Sequence, residues 1–118
     1  MRLVVAPAAE ADFDEIIRAS AETFGEDAAH RYRLLIQQAF ADVLARPDRP
    51  VAKDMPADLR LYPIRHSRLG VPAPDRVGRS RHVLVYRRLG DRLEIIRILH
   101  DRMDIPARLN DSMQPPGE

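Results

Sequence analysis

A chain of 118 residues is long enough to bury one hydrophobic core, and the absence of cysteine excludes disulfide staples and thiolate metal sites. The net charge is only +1, but it is unevenly placed: residues 1–60 carry 8 basic and 11 acidic side chains, whereas residues 61–118 carry 11 and 7. Every basic side chain except Lys53 is arginine, whose fixed charge and planar fork suit the C-terminal half to an acidic surface or a nucleic acid. Leu3 to Ala9 is too short for a signal peptide, and no run approaches the roughly 18 apolar residues of a membrane helix, so the expected location is the cytoplasm.

Leu3-Val4-Val5 predicts a short strand that stops at Pro7. Phe13, Ile16, Ile17 and Phe24, with Ser20 as a weak member, then recur at helical spacing. Asp12, Asp14 and Glu15 read as the solvated, acidic start of that helix, favoured by its dipole. Gly25 breaks it. Asp27 is the expected N-cap of a second helix, with Tyr32, Leu35, Ile36, Ala39, Val43 and Leu44 as its apolar stripe, Arg31 and Arg33 on its polar face, and Pro47 beyond its end. Residues 47–58 form a Pro/Asp-rich connection. Leu59 to Ile64 reads as a strand that Pro63 either ends or confines to an edge. Residues 67–80 read as a mobile basic loop carrying Arg68, Arg76 and Arg79. Two strands, His82–Arg88 and Arg92–Leu99, follow around a Gly90-Asp91 turn, and residues 105–113 suit a short last helix before a frayed tail at 114–118. The order β-α-α-β-β-β predicts an α+β domain, an antiparallel sheet with an αα-hairpin packed on one face.

The last two strands carry the strongest pattern. With Gly90 and Asp91 as the turn, one face holds Arg81, Val83, Val85 and Arg87 against His100, Ile98, Ile96 and Glu94. The other holds His82, Leu84, Tyr86 and Arg88 against Leu99, Arg97, Ile95 and Leu93. The helices are expected to cover the Val/Ile face, because covering the other would bury the Arg97 guanidinium at a cost of several kcal/mol, on the order of a buried unpaired charge. Leu84, Tyr86, Ile95 and Arg97, together with Arg81 and Arg102, are then the expected partner surface. A one-residue slip in register exchanges the two faces.

Other chemistry is sparse. His66, His82 and His100 lack metal-ligand spacing, and Ser67 and Ser80 lack a nucleophile elbow, so no metal or cofactor is expected. Ala8, Asp12, Ile16 and Ile17, Leu59-Arg60, the run His82-Val83-Leu84-Val85-Tyr86-Arg87, and Glu94 to His100 leading into Arg102-Met103-Asp104 and Leu109 together give a pattern that resembles the ParE branch of the RelE/ParE toxin superfamily. The resemblance implies a single toxin domain over residues 1–113, a ParD-like antitoxin that neutralises it in a hetero-oligomeric complex, and DNA gyrase as a non-enzymatically inhibited target. The 67–80 loop departs from the shorter members as an insertion.

The sister branch, which resembles RelE, cuts messenger RNA on the ribosome and needs groups to move protons and cations for the phosphate. His100, Arg81 and Arg102 are the residues available for it. Yet the tail after Asp104 has no Tyr, Lys or His and no Glu before the last residue, and Lys53 lies in a distant loop. His100 reads more simply as a strand-end residue bonded to backbone or to Asp101. A non-toxic nucleic-acid-binding module is a third reading, disfavoured because the chain has no Trp and only Tyr86 on the expected open face to stack on bases.

Overall fold

A computed structural model describes residues 1–103 and 105–113; the expected fraying of 114–118, and Asp104 in the strand-end run, lie outside them. The chain forms β1 (Arg2–Val5), α1 (Pro7–Phe24), α2 (Glu26–Ala45), β2 (Lys53–Asp54), β3 (Arg60–Pro63), β4 (His82–Leu89), β5 (Arg92–His100) and α3 (Ile105–Met113), with two 3-10 segments between β3 and β4. The sheet order is β1-β5-β4-β3-β2. Only β1 runs parallel to its neighbour, so the otherwise antiparallel sheet is mixed at that edge.

Local chemistry accounts for the boundaries. Pro7 opens α1, where a missing N–H costs nothing and the fixed φ suits a helix. Gly25, at φ 94°, closes α1 through its N–H to the Ala21 carbonyl and opens α2 through its carbonyl, which accepts from Ala29 N–H. Asp27 therefore sits inside the first turn of α2, where its charge favours the dipole, and is not the N-cap. Pro63 is the last residue of β3, as expected of a residue without an N–H to donate.

The β4–β5 hairpin departs from the uniform register. Its turn-proximal half pairs as expected, including Arg87 with Glu94 and Tyr86 with Ile95. A bulge then opens between Val85 and Tyr86: Ile96 is the extra residue, and Val85 faces Arg97, Leu84 faces Ile98 and His82 faces His100. The slip brings Leu84 and Ile98 onto one side with Tyr86 and Ile95. This is the side that α1 and α2 cover, through Ala9, Ile17, Leu35, Ile36, Ala39 and Val43. The expectation that the helices lie on the Val/Ile face is thus corrected. Leu84, Tyr86 and Ile95 are fully buried and offer no partner surface. The one hydroxyl that this cover buries on β4 is satisfied, since Tyr86 donates to the Pro47 carbonyl at 2.6 Å.

Arg97 escapes the predicted penalty in a different way. β1 ends at Val5, opposite Ile95, so the outer edge of β5 has no strand beside it from there on. Asp12 of α1 fills the gap: Arg97 donates to both its carboxylate oxygens, at 2.7 and 3.0 Å, and Ile98 N–H donates to Oδ2 at 2.9 Å. Asp12 is therefore a structural clamp, not part of a solvated helix start, and Arg97 is not an unpaired charge but is ion-paired with it. Val83, Val85, Ile96 and Leu99 form a second cluster on the far face with Leu59 and Leu109, so α3 closes that side.

Candidate partner-binding groove

One end of the molecule holds an open groove of about 1420 Å³. Its walls come from α1, the start of α2, the 76–81 segment, and the strand ends with the residues after them. A smaller hollow of about 400 Å³ lies along α1 and α2 near Arg18, but Arg18 already bridges Glu15 and Glu22 there.

The groove floor is built on the His82–His100 pair. The slipped register places the two imidazoles directly across from one another, with centroids 5.3 Å apart and rings edge to face. Tyr32, from α2, packs against the His82 ring and hydrogen-bonds to its Nδ1, while the same hydroxyl meets Ser80 Oγ at 2.9 Å. Burial, and secondly the neighbouring His100, push His82 down to about 4; Asp101 and Asp12 act in the opposite direction too weakly to reverse this. His82 is therefore neutral at physiological pH, and its Nδ1 shares a hydrogen bond with the Tyr32 hydroxyl. Burial also pushes the Tyr32 phenol up, which keeps it a donor.

His100 sits at the end of β5 and is bonded to backbone, as its strand-end position predicts. Its Nδ1 accepts the Arg102 backbone N–H at 3.1 Å. That bond leaves no proton on Nδ1 for Asp101, although Asp101 Oδ1 lies 3.3 Å away. Asp101 instead pairs with Arg81 at 3.1 Å.

Arginine dominates the rest of the lining: Arg31, Arg76, Arg79, Arg81, Arg102 and Arg108 all face the groove, against Glu15 as its acid. The Glu15 carboxylate is taken by Arg18, whose hydrogen bond pulls it below the usual carboxylate range. The guanidiniums of Arg31, Arg79 and Arg102 make no hydrogen bond or ion pair among the described residues. Apolar surface alternates with the charge, from Ile16, Ala19, Ala28 and Val77, with Phe24 and Met103 exposed.

Of the residues singled out in the sequence, Arg81, Arg102 and His100 thus meet in one site, whereas Leu84, Tyr86, Ile95 and Arg97 do not belong to it. The sequence reading missed Tyr32, Arg31 and Ser80 as site residues. Tyr32 fitted the apolar stripe of its helix, and nothing in the chain signals contact with partners 48 and 50 positions away. Among the described residues, no group of three or more histidines or acids is arranged to hold a metal, and no helix is long and apolar enough to cross a membrane.

Residues 3–105 match the family described as "ParE toxin of type II toxin-antitoxin system, parDE". No curated protein matches the chain. Among solved structures, one described as the chromosomal ParDE TA system from P. aeruginosa superposes with a TM-score of 0.65, covering 85% of this chain and 95% of that one at 17% identity. That likeness is one of fold.

Proposed function

The chain belongs to the ParE toxin family of type II toxin–antitoxin systems, and from that premise we propose that it is a non-enzymatic toxin of DNA gyrase, silenced when a ParD-like antitoxin occupies the arginine-lined groove. The observation that carries the groove assignment is the set of three arginines, Arg31, Arg79 and Arg102, that line it with no acid of their own among the described residues. Such a surface gains from a partner that brings carboxylates and covers the apolar patches between them. Arg81 and Arg102 remain partner contacts in this reading. Binding is favoured because the carboxylate lining the groove among the described residues, Glu15, is already bridged to Arg18, so the arginines lack an acid that a partner can bring.

Ribosome-dependent cleavage of messenger RNA is the second reading, favoured by the convergence of His100, Arg81 and Arg102 at one end of the groove. Two measurements separate the readings. Expression of the chain alone should arrest growth, and co-expression of the antitoxin from the adjacent reading frame should restore it; normal growth at a verified level of folded protein rejects the toxin. Purified toxin should inhibit gyrase supercoiling while messenger RNA on translating ribosomes stays intact, and His100→Gln should retain that inhibition. Cleavage that drops by about 10²–10⁴ with His100→Gln, the range for removing a general acid or base, would instead establish the nuclease.

A further inference from the structure

The groove has two unlike walls, and the 71–80 segment makes the difference between them. In the sequence this segment looks like a mobile insertion. In the structure it is fastened at several points. Ser67, just before it, is buried and hydrogen-bonds to the Tyr62 hydroxyl at 2.8 Å. Arg68 Nε donates to the Val77 carbonyl and Arg76 Nε to the Val71 carbonyl, both at 2.8 Å. Val71 is buried, and Gly70 lies so close to Gln38 of α2 that an added Cβ would stand 2.8 Å from that side chain. These ties hold Arg76, Val77 and Arg79 as a cationic wall beside Arg81.

A second wall is α1. There Ile16, Ala19, Ser20 and Thr23 fall at i, i+3, i+4 and i+7, a single stripe of a helix. All four are uncharged, and three are small enough for another backbone to approach closely. Glu15, the only charge on this wall, is held by Arg18. An occupant that satisfies both walls must itself be two-faced.

Resting on the assignment of the groove to the antitoxin, we propose that its occupant is a helix with carboxylates confined to the face turned toward Arg79 and small or apolar residues on the face turned toward α1. The 71–80 wall then selects the cognate antitoxin by where its acids lie around that helix, not by how many it carries. A non-cognate segment of equal charge, with acids distributed all round, presses carboxylates onto the uncharged α1 stripe and leaves part of the arginine wall unmatched.

The test uses the full chain and two synthetic helical peptides of identical Glu, Leu and Ala composition, one with its glutamates on a single face and one with them spread around the helix. By calorimetry, the one-faced peptide should bind at least about tenfold more tightly, since each good charged contact is worth roughly that factor. Arg79→Glu, at an exposed side chain without a partner among the described residues, should remove at least that factor for the one-faced peptide and at most about twofold for the other. Ala19→Trp, which blocks the α1 stripe without touching charge, should also weaken the one-faced peptide. Equal binding of the two peptides, or Arg79→Glu leaving the one-faced peptide within about twofold, overturns the proposal. Growth arrest by the unmodified chain is scored separately. Arrest with no peptide discrimination removes only the selectivity of the wall, whereas discrimination without arrest removes the toxin reading.

Discussion

At the scale of single residues, the most consequential contact is the one between Asp12 and Arg97. Both side chains are mostly buried, at 16% and 18% exposure, and the carboxylate also satisfies the Ile98 N–H on an edge that no strand covers. Removing one partner of such a pair costs more than the pair contributes, because the other charge stays buried. Asp12→Ala should therefore destabilise the fold by about 2–3 kcal/mol in urea unfolding, somewhat below the range for fully buried pairs; Asp12→Asn, which keeps an acceptor for Ile98, should cost about half as much. A loss below about 0.5 kcal/mol for Asp12→Ala would show that the clamp is not structural. His82 gives a second prediction. Its folded value of about 4 lies below the ordinary value of 6.5, so the unfolded chain takes up the proton first as pH falls. Its contribution is fully present above pH 6.5, declines between 6.5 and 4, and amounts to ~3 kcal/mol at most. The decline measured across that window should flatten in His82→Gln, and an unchanged slope would reassign it to other groups.

At the scale of elements, the turn between β2 and β3 shows how a strand pair can be hidden from a sequence. The turn is closed by Leu59 N–H to the Pro56 carbonyl, and both central residues, Ala57 at φ 64° and Asp58 at φ 59°, are left-handed. Hairpin turns of that kind favour Asn-Gly or Asp-Gly, so Ala-Asp gave no signal and β2 went unpredicted. Asp tolerates the conformation, whereas Ala is strained there by about 1–2 kcal/mol. Ala57→Gly should raise unfolding stability by about 0.5–1 kcal/mol after the added entropy of the unfolded chain is subtracted. A decrease would mean that the turn is not held left-handed in solution. The Gly90-Asp91 turn is the contrasting case. Gly90 carries φ 60° at the first central position, a pattern the sequence announces, and the adjacent half of the hairpin paired as read.

At the scale of the whole molecule, the uneven charge of the sequence becomes a local field. Net charge is only +1, yet arginines from α2, the 76–81 segment, the strand-end turn and α3 collect around one groove. Partner binding there should weaken with ionic strength: between 0.05 and 0.3 M salt, affinity for the antitoxin should fall by about tenfold or more, because exposed charges are screened beyond a Debye length. Salt-independent affinity would place the binding energy in apolar contacts instead.

The sequence by itself determined the α+β class, the helical hairpin, the β4–β5 turn, the short last helix and the family pattern, because each is written in local periodicity or in a turn residue. It also marked Arg81, Arg102 and His100, which line the same groove. Only the tertiary structure decided which face of the sheet the helices cover. That choice turned on one extra residue, Ile96, since a single bulge reverses the alternation of every side chain beyond it. Only the fold, likewise, could show that Asp12 neutralises Arg97 from 85 positions away and that Tyr32 reaches His82 across 50. Periodicity reports which residues share a face of one element; which element meets that face is decided by packing between segments that the chain keeps far apart.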